Sequence, residues 1–164
     1  MRNWRFRGNE QKYLKEVLKS GFKAGSDGAF STRFEMAMAS SYGSKHCIAM
    51  NSGTSTLHAA LLALGIRAGD EVLVSSLTPL MCGLSIYYTG ATPVYVDVDP
   101  ETFLMDPNDL SLKITPKSKA VLVVHMYGNV CDMKRIMEIA KAKRLGVIED
   151  CAQCHYGEDS LGRL

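Results

Sequence analysis

Asp150, Cys151, Gln153, Cys154 and His155 place a carboxylate, two thiols, an amide and an imidazole directly after the apolar pair Val147-Ile148. Two incompatible chemistries use such a set. As Cys-x-x-Cys-His, residues Cys151, Cys154 and His155 spell the attachment signature of c-type haem. As the end of a short buried strand, Asp150 is a carboxylate on the ligand-binding rim of an α/β sheet. Haem attachment requires export, and Met1-Arg2-Asn3-Trp4-Arg5 is not followed by the apolar core of a signal peptide. A redox pair belongs at a helix N-terminus after a Trp/Gly/Pro-type turn. A zinc site built from Cys131, Cys151, Cys154 and His155 lacks a second spaced pair. The sheet-rim reading is preferred, with no metal expected.

A carboxylate at that rim is partly desolvated and needs a cation. A protonated pyridine nitrogen meets the need, and Gln153 could donate from its amide to a phenolate oxygen on such a ring. An ordinary helix cap at Asp150 is the bland alternative. A second segment, Asn51-Ser52-Gly53-Thr54-Ser55-Thr56, lies ahead of an apolar helical pattern. Helix N-termini offer free N–H groups and partial positive charge, so Gly53, Thr54 and Ser55 suit a phosphate monoester. A plain Ser/Thr cap explains the same residues, and the Gly-Lys-Ser/Thr ending of a Walker loop is missing. Pyridoxal 5'-phosphate would supply both the ring cation and the phosphate. Asp97-Val98-Asp99 invites a metal-nucleotide reading, but a strand end with an Asp-Pro turn is the simpler account. His125 reads as a hydrogen-bonded structural histidine at a strand end, with a polar role behind the ligand as the alternative.

The elements that must position these groups are legible from residue 45 onward. Cys47-Ile48-Ala49-Met50 is expected as a first strand. Leu57, Ala60, Leu61 and Leu64 follow at helical spacing. Glu71-Val72-Leu73-Val74 is a strand, and Leu80, Leu84 and Tyr87 predict a helix running to Gly90. Pro93 to Val98 is a third strand, Pro107 opens a short helix, and Ala120 to Val124 is apolar throughout, as in a strand buried on both faces. Asp132 caps a helix with Met133, Ile136, Met137 and Ala140 on its apolar face, ended by Gly146. Such alternation predicts a mostly parallel sheet flanked by helices in three layers. Residues 12–20 and 32–42 read as two helices joined by a Gly-rich loop over 21–30. This divides the chain into a helical arm (1–44) and an α/β body (45–164).

Bulk properties narrow the field. With 164 residues, 46% hydrophobic content, 22% charge and a formal net charge of +2, the chain is long enough for one soluble domain. Nothing in that balance points to nucleic acid or membrane, and no apolar run approaches the ~20 residues of a membrane span. Clusters at Arg2, Arg5 and Arg7 and from Lys134 to Arg144 read as a solvated terminus and helix face. An odd five cysteines without an export signal are expected as reduced thiols in the cytoplasm.

Several blocks carry a resemblance to a known family. They are Asn51 to His58; Leu64-Gly65-Ile66 with Gly69-Asp70-Glu71-Val72; Thr89-Gly90-Ala91 with Pro93-Val94; Val96 to Thr102; Ile114-Thr115-Pro116; His125-Met126-Tyr127-Gly128; and Val147 to Gln153. In this order they resemble the DegT/DnrJ/EryC1/StrS sugar aminotransferases, over about residues 10–155. The resemblance implies a pyridoxal-phosphate-dependent transferase of fold type I, here its incomplete large domain. It implies a homodimer that moves an amino group from glutamate to a keto group on a nucleotide-linked sugar. Thr54 and Ser55 would hold the cofactor phosphate, Asp150 the pyridine nitrogen and Gln153 the ring hydroxyl. Two departures stand out. Pro79 follows Ser76-Leu77-Thr78 where the family often has an aromatic residue stacked on the ring. The family's Schiff-base lysine lies a few tens of residues beyond Asp150, and residues 151–164 contain no lysine. No catalytic residue is therefore assigned, and the chain is expected to be an N-terminal portion, inactive alone. The alternatives are a non-catalytic relative kept as a dimerisation or binding module, or a lysine-less sugar dehydratase of the same fold.

Overall fold

The computed structural model describes residues 8–21, 29–159 and 162–163. Residues 22–28, most of the expected Gly-rich loop, and the cluster Arg2, Arg5 and Arg7 lie outside the described residues. Contacts gather the chain into two compact units, Met1–Ala49 and Met50–Leu164. In the first, α1 (Glu10–Lys19) and α2 (Ala29–Tyr42) match the two expected helices. Arg33 ties them, with its guanidinium 5.3 Å from the centres of the Tyr13 and Phe30 rings and 3.5 Å from Glu16. Cys47 to Met50, expected as a strand, form none. A strand exists through its ladder partner, and this segment pairs with none. Ile48 is accordingly 77% exposed.

The second unit contains that sheet: β1 (Glu71–Ser75), β2 (Thr92–Val96), β3 (Ser118–Val124) and β4 (Gly146–Asp150). All neighbours pair in parallel, in the order β2-β1-β3-β4. The helices between them are α3 (Gly53–Ala63), α4 (Leu80–Tyr88), α5 (Pro107–Lys113) and α6 (Met133–Lys143). α3 packs with α4, and α5 with α6, which makes the three layers. A two-residue antiparallel ladder, β5 (Glu158–Asp159) with β6 (Gly162–Arg163), follows the sheet.

Burial follows strand position. Residues Val72 to Ser75 of β1 and Ala120 to Val124 of β3 are buried on both faces, whereas β4 is half-exposed along its length. The core closes over them with Leu61, Ile86, Leu110 and Ile136, each fully buried. Each such side chain contributes about 1.5–3 kcal/mol by leaving water.

Local chemistry sets the helix ends. Asp132 accepts the Arg135 N–H at 3.1 Å, and Asp106 accepts the Asn108 N–H at 2.8 Å just before Pro107. Two expectations need correction. Gly146 does not end α6; Arg144 does, in the left-handed conformation at φ 57°, and Gly146 opens β4. The inward face of α4 is Cys82, Gly83, Ser85 and Ile86, while Leu80 and Tyr87 are 70% and 69% exposed. At Gly83 the approach is close: a Cβ there would stand 2.9 Å from the Tyr95 hydroxyl.

Two substitutions test this packing. Leu122→Ala, at the centre of β3, is expected to cost about 2–5 kcal/mol. Gly90→Ala forces a side chain onto a φ of +81° and to 3.1 Å from the Ala68 Cβ, and is expected to cost about 1–3 kcal/mol. Urea midpoints of the two variants against the parent check both. Unchanged midpoints contradict the packing.

Candidate ligand site at the sheet's C-terminal edge

Chain direction locates the site. From β1 the chain crosses to β2 on one side, and from β3 it crosses to β4 on the other. Between β1 and β3 lies the point where strand order reverses, and ligands of open α/β sheets bind outside the strand ends there. Four segments leave that rim: 76–79 after β1, Asp97 after β2, 125–128 after β3 and 151–154 after β4. A cleft of about 370 Å³ opens beside β1, lined by Ser76, Thr78, Pro79, Leu80, Gly83 and Tyr95.

Asp150 is the last residue of β4 and is half-buried. Its Oδ1 accepts the Ala152 N–H at 2.9 Å, and its Oδ2 faces the Cys82 thiol at 3.4 Å. It forms no ion pair among the described residues. The strand delivers a negative charge whose cation is not in this set.

The other rim segments hold that strand end in place. The His125 N–H donates to the Asp150 carbonyl at 3.1 Å. Its ring is fully buried, and Nδ1 accepts the Cys131 N–H at 3.1 Å. The ring proton therefore sits on Nε2, 3.2 Å from Glu149 Oε2. His125 is the structural histidine anticipated from the sequence. Gln153 is exposed, and its Oε1 accepts the Tyr127 N–H at 3.0 Å, with Tyr127 in the left-handed region at φ 57°.

Thr54 and Ser55 reach the same rim by another route. The short link 64–70 returns α3 to the start of β1, so the C-terminal end of α3 lies at the opposite edge of the sheet. A Cβ on Gly146, the first residue of β4, would meet the Leu64 side chain at 2.8 Å, in agreement. The N-terminus of α3, which packs on β4, therefore points toward the edge that carries Asp150. The cap is Ser52, whose Oγ accepts the Ser55 N–H at 3.2 Å and lies 2.9 Å from Ser55 Oγ. The Gly53 and Thr54 N–H groups and the Thr54 hydroxyl have no partner among the described residues. A Cβ on Gly53 would meet nothing within 4 Å. Free donors facing open space suit an anion.

Sequence reasoning missed Cys82 and Thr78. Cys82 stands 68 residues from Asp150, and no spacing rule joins them. Thr78 Oγ1 is buried without a hydrogen-bond partner. Cys154 is buried at 6% exposure, all five cysteines are free thiols, and no cluster of His, Cys, Asp or Glu among the described residues could hold a metal. Asp97 and Asp99 serve the local backbone: Asp97 Oδ1 takes the Val98 N–H, and Asp99 Oδ1 takes those of Glu101 and Thr102. No described helix is long and apolar enough to cross a membrane.

Known proteins resemble this chain over most of its length. The model of the DegT/DnrJ/EryC1/StrS aminotransferase family matches residues 5–162. A GDP-perosamine synthase of Caulobacter vibrioides is 48% identical over 149 residues, which are 91% of this chain and 40% of that protein. The solved aminotransferase from Psychrobacter cryohalolentis superposes with a TM-score of 0.90 at 40% identity, over 96% of this chain and 40% of that one. NtdA of Bacillus subtilis, solved with bound cofactor PMP, gives 0.83 at 36% identity, over 88% of this chain and 33% of that one. The chain spans about 40% of the length of the curated relative.

Three thiols at or behind the rim make stability sensitive to alkali. Burial pushes Cys82, Cys131 and Cys151 up from 9.0 to about 11, and nearby carboxylates add to the rise. Above pH 9 the unfolded chain releases these protons while the folded chain keeps them. Their contribution is therefore complete below pH 9 and is lost as pH rises through about 11. Urea midpoints are expected to fall between pH 8.5 and 10.5, with a smaller fall in Cys131→Ala. An identical fall in that variant contradicts the assignment.

Proposed function

The chain belongs to the DegT/DnrJ/EryC1/StrS aminotransferase family, and from that premise we propose that it is the cofactor-holding part of a pyridoxal-phosphate-dependent enzyme. The whole protein would aminate a keto group on a nucleotide-linked sugar, with glutamate as donor, as a cytoplasmic homodimer. The single observation that carries the reading is the pairing of two unlike sites at one sheet edge. Amide and hydroxyl donors without partners stand at α3, and a half-buried carboxylate without a cation stands at Asp150.

The residues present fit the cofactor. Thr54 and Ser55, with the Gly53 and Thr54 amides, would hold its phosphate. Asp150 would face the pyridine nitrogen, and the Gln153 amide would donate to the ring hydroxyl. When bound, the protonated ring supplies an electron sink for the bond broken beside the transferred nitrogen. The protein's share is electrostatic. Asp150 would keep a proton on the ring nitrogen, because a desolvated carboxylate favours a cation beside it. The Ala152 N–H fixes the carboxylate plane through Oδ1. The N-terminus of α3 would offset part of the phosphate charge.

Titration of the chain with pyridoxal 5'-phosphate, followed by absorbance and fluorescence, tests the reading. A hydrogen bond to a charged group contributes about 1.5–3 kcal/mol, so Asp150→Asn is expected to weaken binding by roughly 10-fold or more. Thr54→Val with Ser55→Ala is expected to weaken the phosphorylated cofactor but not pyridoxal. Equal affinity in all variants contradicts the proposal. Residues 151–164 carry no lysine, so borohydride should fix no specific adduct and transamination by this chain alone should be undetectable. A stoichiometric adduct with turnover overturns that expectation.

A further inference from the structure

The thiol of Cys82 lies 3.4 Å from Asp150 Oδ2, on the oxygen that Ala152 leaves open. Cys82 is fully buried in the first turn of α4, a helix that begins beyond β1, two strands away from β4. The contact therefore spans the point where strand order reverses. We propose that Cys82 is a positioning residue, whose S–H donates to Asp150 and fixes the orientation of that carboxylate toward a cationic ring.

Three observations support a donor rather than a packing role. Helix N-termini usually favour thiolate, but burial pushes this thiol up to about 11, with the Asp150 charge adding to the rise. The sulfur thus keeps its proton over the physiological range. Asp150 Oδ2 has no ion-pair partner among the described residues, so the S–H is its available donor. The Thr78 hydroxyl lies close enough to the sulfur to oppose the rise, yet it reaches hydrogen-bond geometry with no group. The weak donor is the one aimed at the carboxylate. A thiol holds the carboxylate's direction while withdrawing little of its charge, which leaves Asp150 a strong acceptor for a second donor.

The inference deepens the cofactor reading and rests on it, and the test separates the two. The infrared S–H stretch, obtained as the difference between the parent chain and Cys82→Ala, needs no cofactor. It is expected to shift when Asp150→Asn is introduced; an unmoved band removes the hydrogen bond and the inference with it. In titrations with pyridoxal 5'-phosphate, Cys82→Ala is expected to weaken binding about 5-fold, and Cys82→Ser to restore it to within twofold. In an Asp150→Asn background, Cys82→Ala should have no further effect. If Asp150→Asn weakens binding while Cys82→Ala does not, Cys82 is packing alone and the cofactor reading survives. If Asp150→Asn has no effect, or the chain takes up no cofactor, the cofactor reading fails and the positioning role toward a ring fails with it. Thermal unfolding midpoints confirm that each variant is folded.

Discussion

Parallel pairing of β1 with β3, with crossovers leaving in opposite directions, constrains every chemical feature of this chain. A strand buried on both faces can expose polar groups at its ends and nowhere else. The four strands all run the same way, so their C-terminal ends share one rim. Residues 76–79, 125–128 and 151–154 thus leave the sheet at one edge although the sequence separates them widely. The same rule places the N-terminus of α3 there, since a helix that feeds β1 through a short link must run against it. The site follows from direction of travel, and the side chains then decide what it recognises.

What they decide is an electrostatic division. At α3 the groups without partners are donors; at the end of β4 the exposed capacity is that of an acceptor. The His125 network stiffens the second end. Its backbone holds the carbonyl of Asp150, and its ring joins the Cys131 amide to Glu149. Burying such a network is unfavourable unless every member is satisfied. Here each ring nitrogen of His125 has a partner.

The sequence made much of this visible because one-dimensional signals were strong where a single segment decides its own structure. The apolar run Ala120 to Val124, the cap at Asp132 and the proline at the start of α5 each act within a few residues. Cys47 to Met50 has strand composition but no ladder, and pairing is a property of two segments. On α4 the apolar period favours Leu80 and Tyr87, whereas the buried face is Cys82, Gly83, Ser85 and Ile86, with Gly83 set against the Tyr95 hydroxyl. Within the site, Asp150 and Gln153 stood out by type and position. Cys82 did not, because nothing local marks a thiol that touches a carboxylate 68 residues on.

Tyr127 and Gln153 carry a further consequence. A primary amide can turn end over end, exchanging oxygen for nitrogen at little cost when nothing distinguishes the two. The Tyr127 N–H, 3.0 Å away, distinguishes them, since only a carbonyl oxygen can receive it. The side chain of Gln153 is thereby polarised: its oxygen is engaged and its NH2 is left as the free end. A glutamate at that position would grip Tyr127 equally well and then present a bare negative oxygen. The direction of one backbone N–H thus settles which end of the amide stays free.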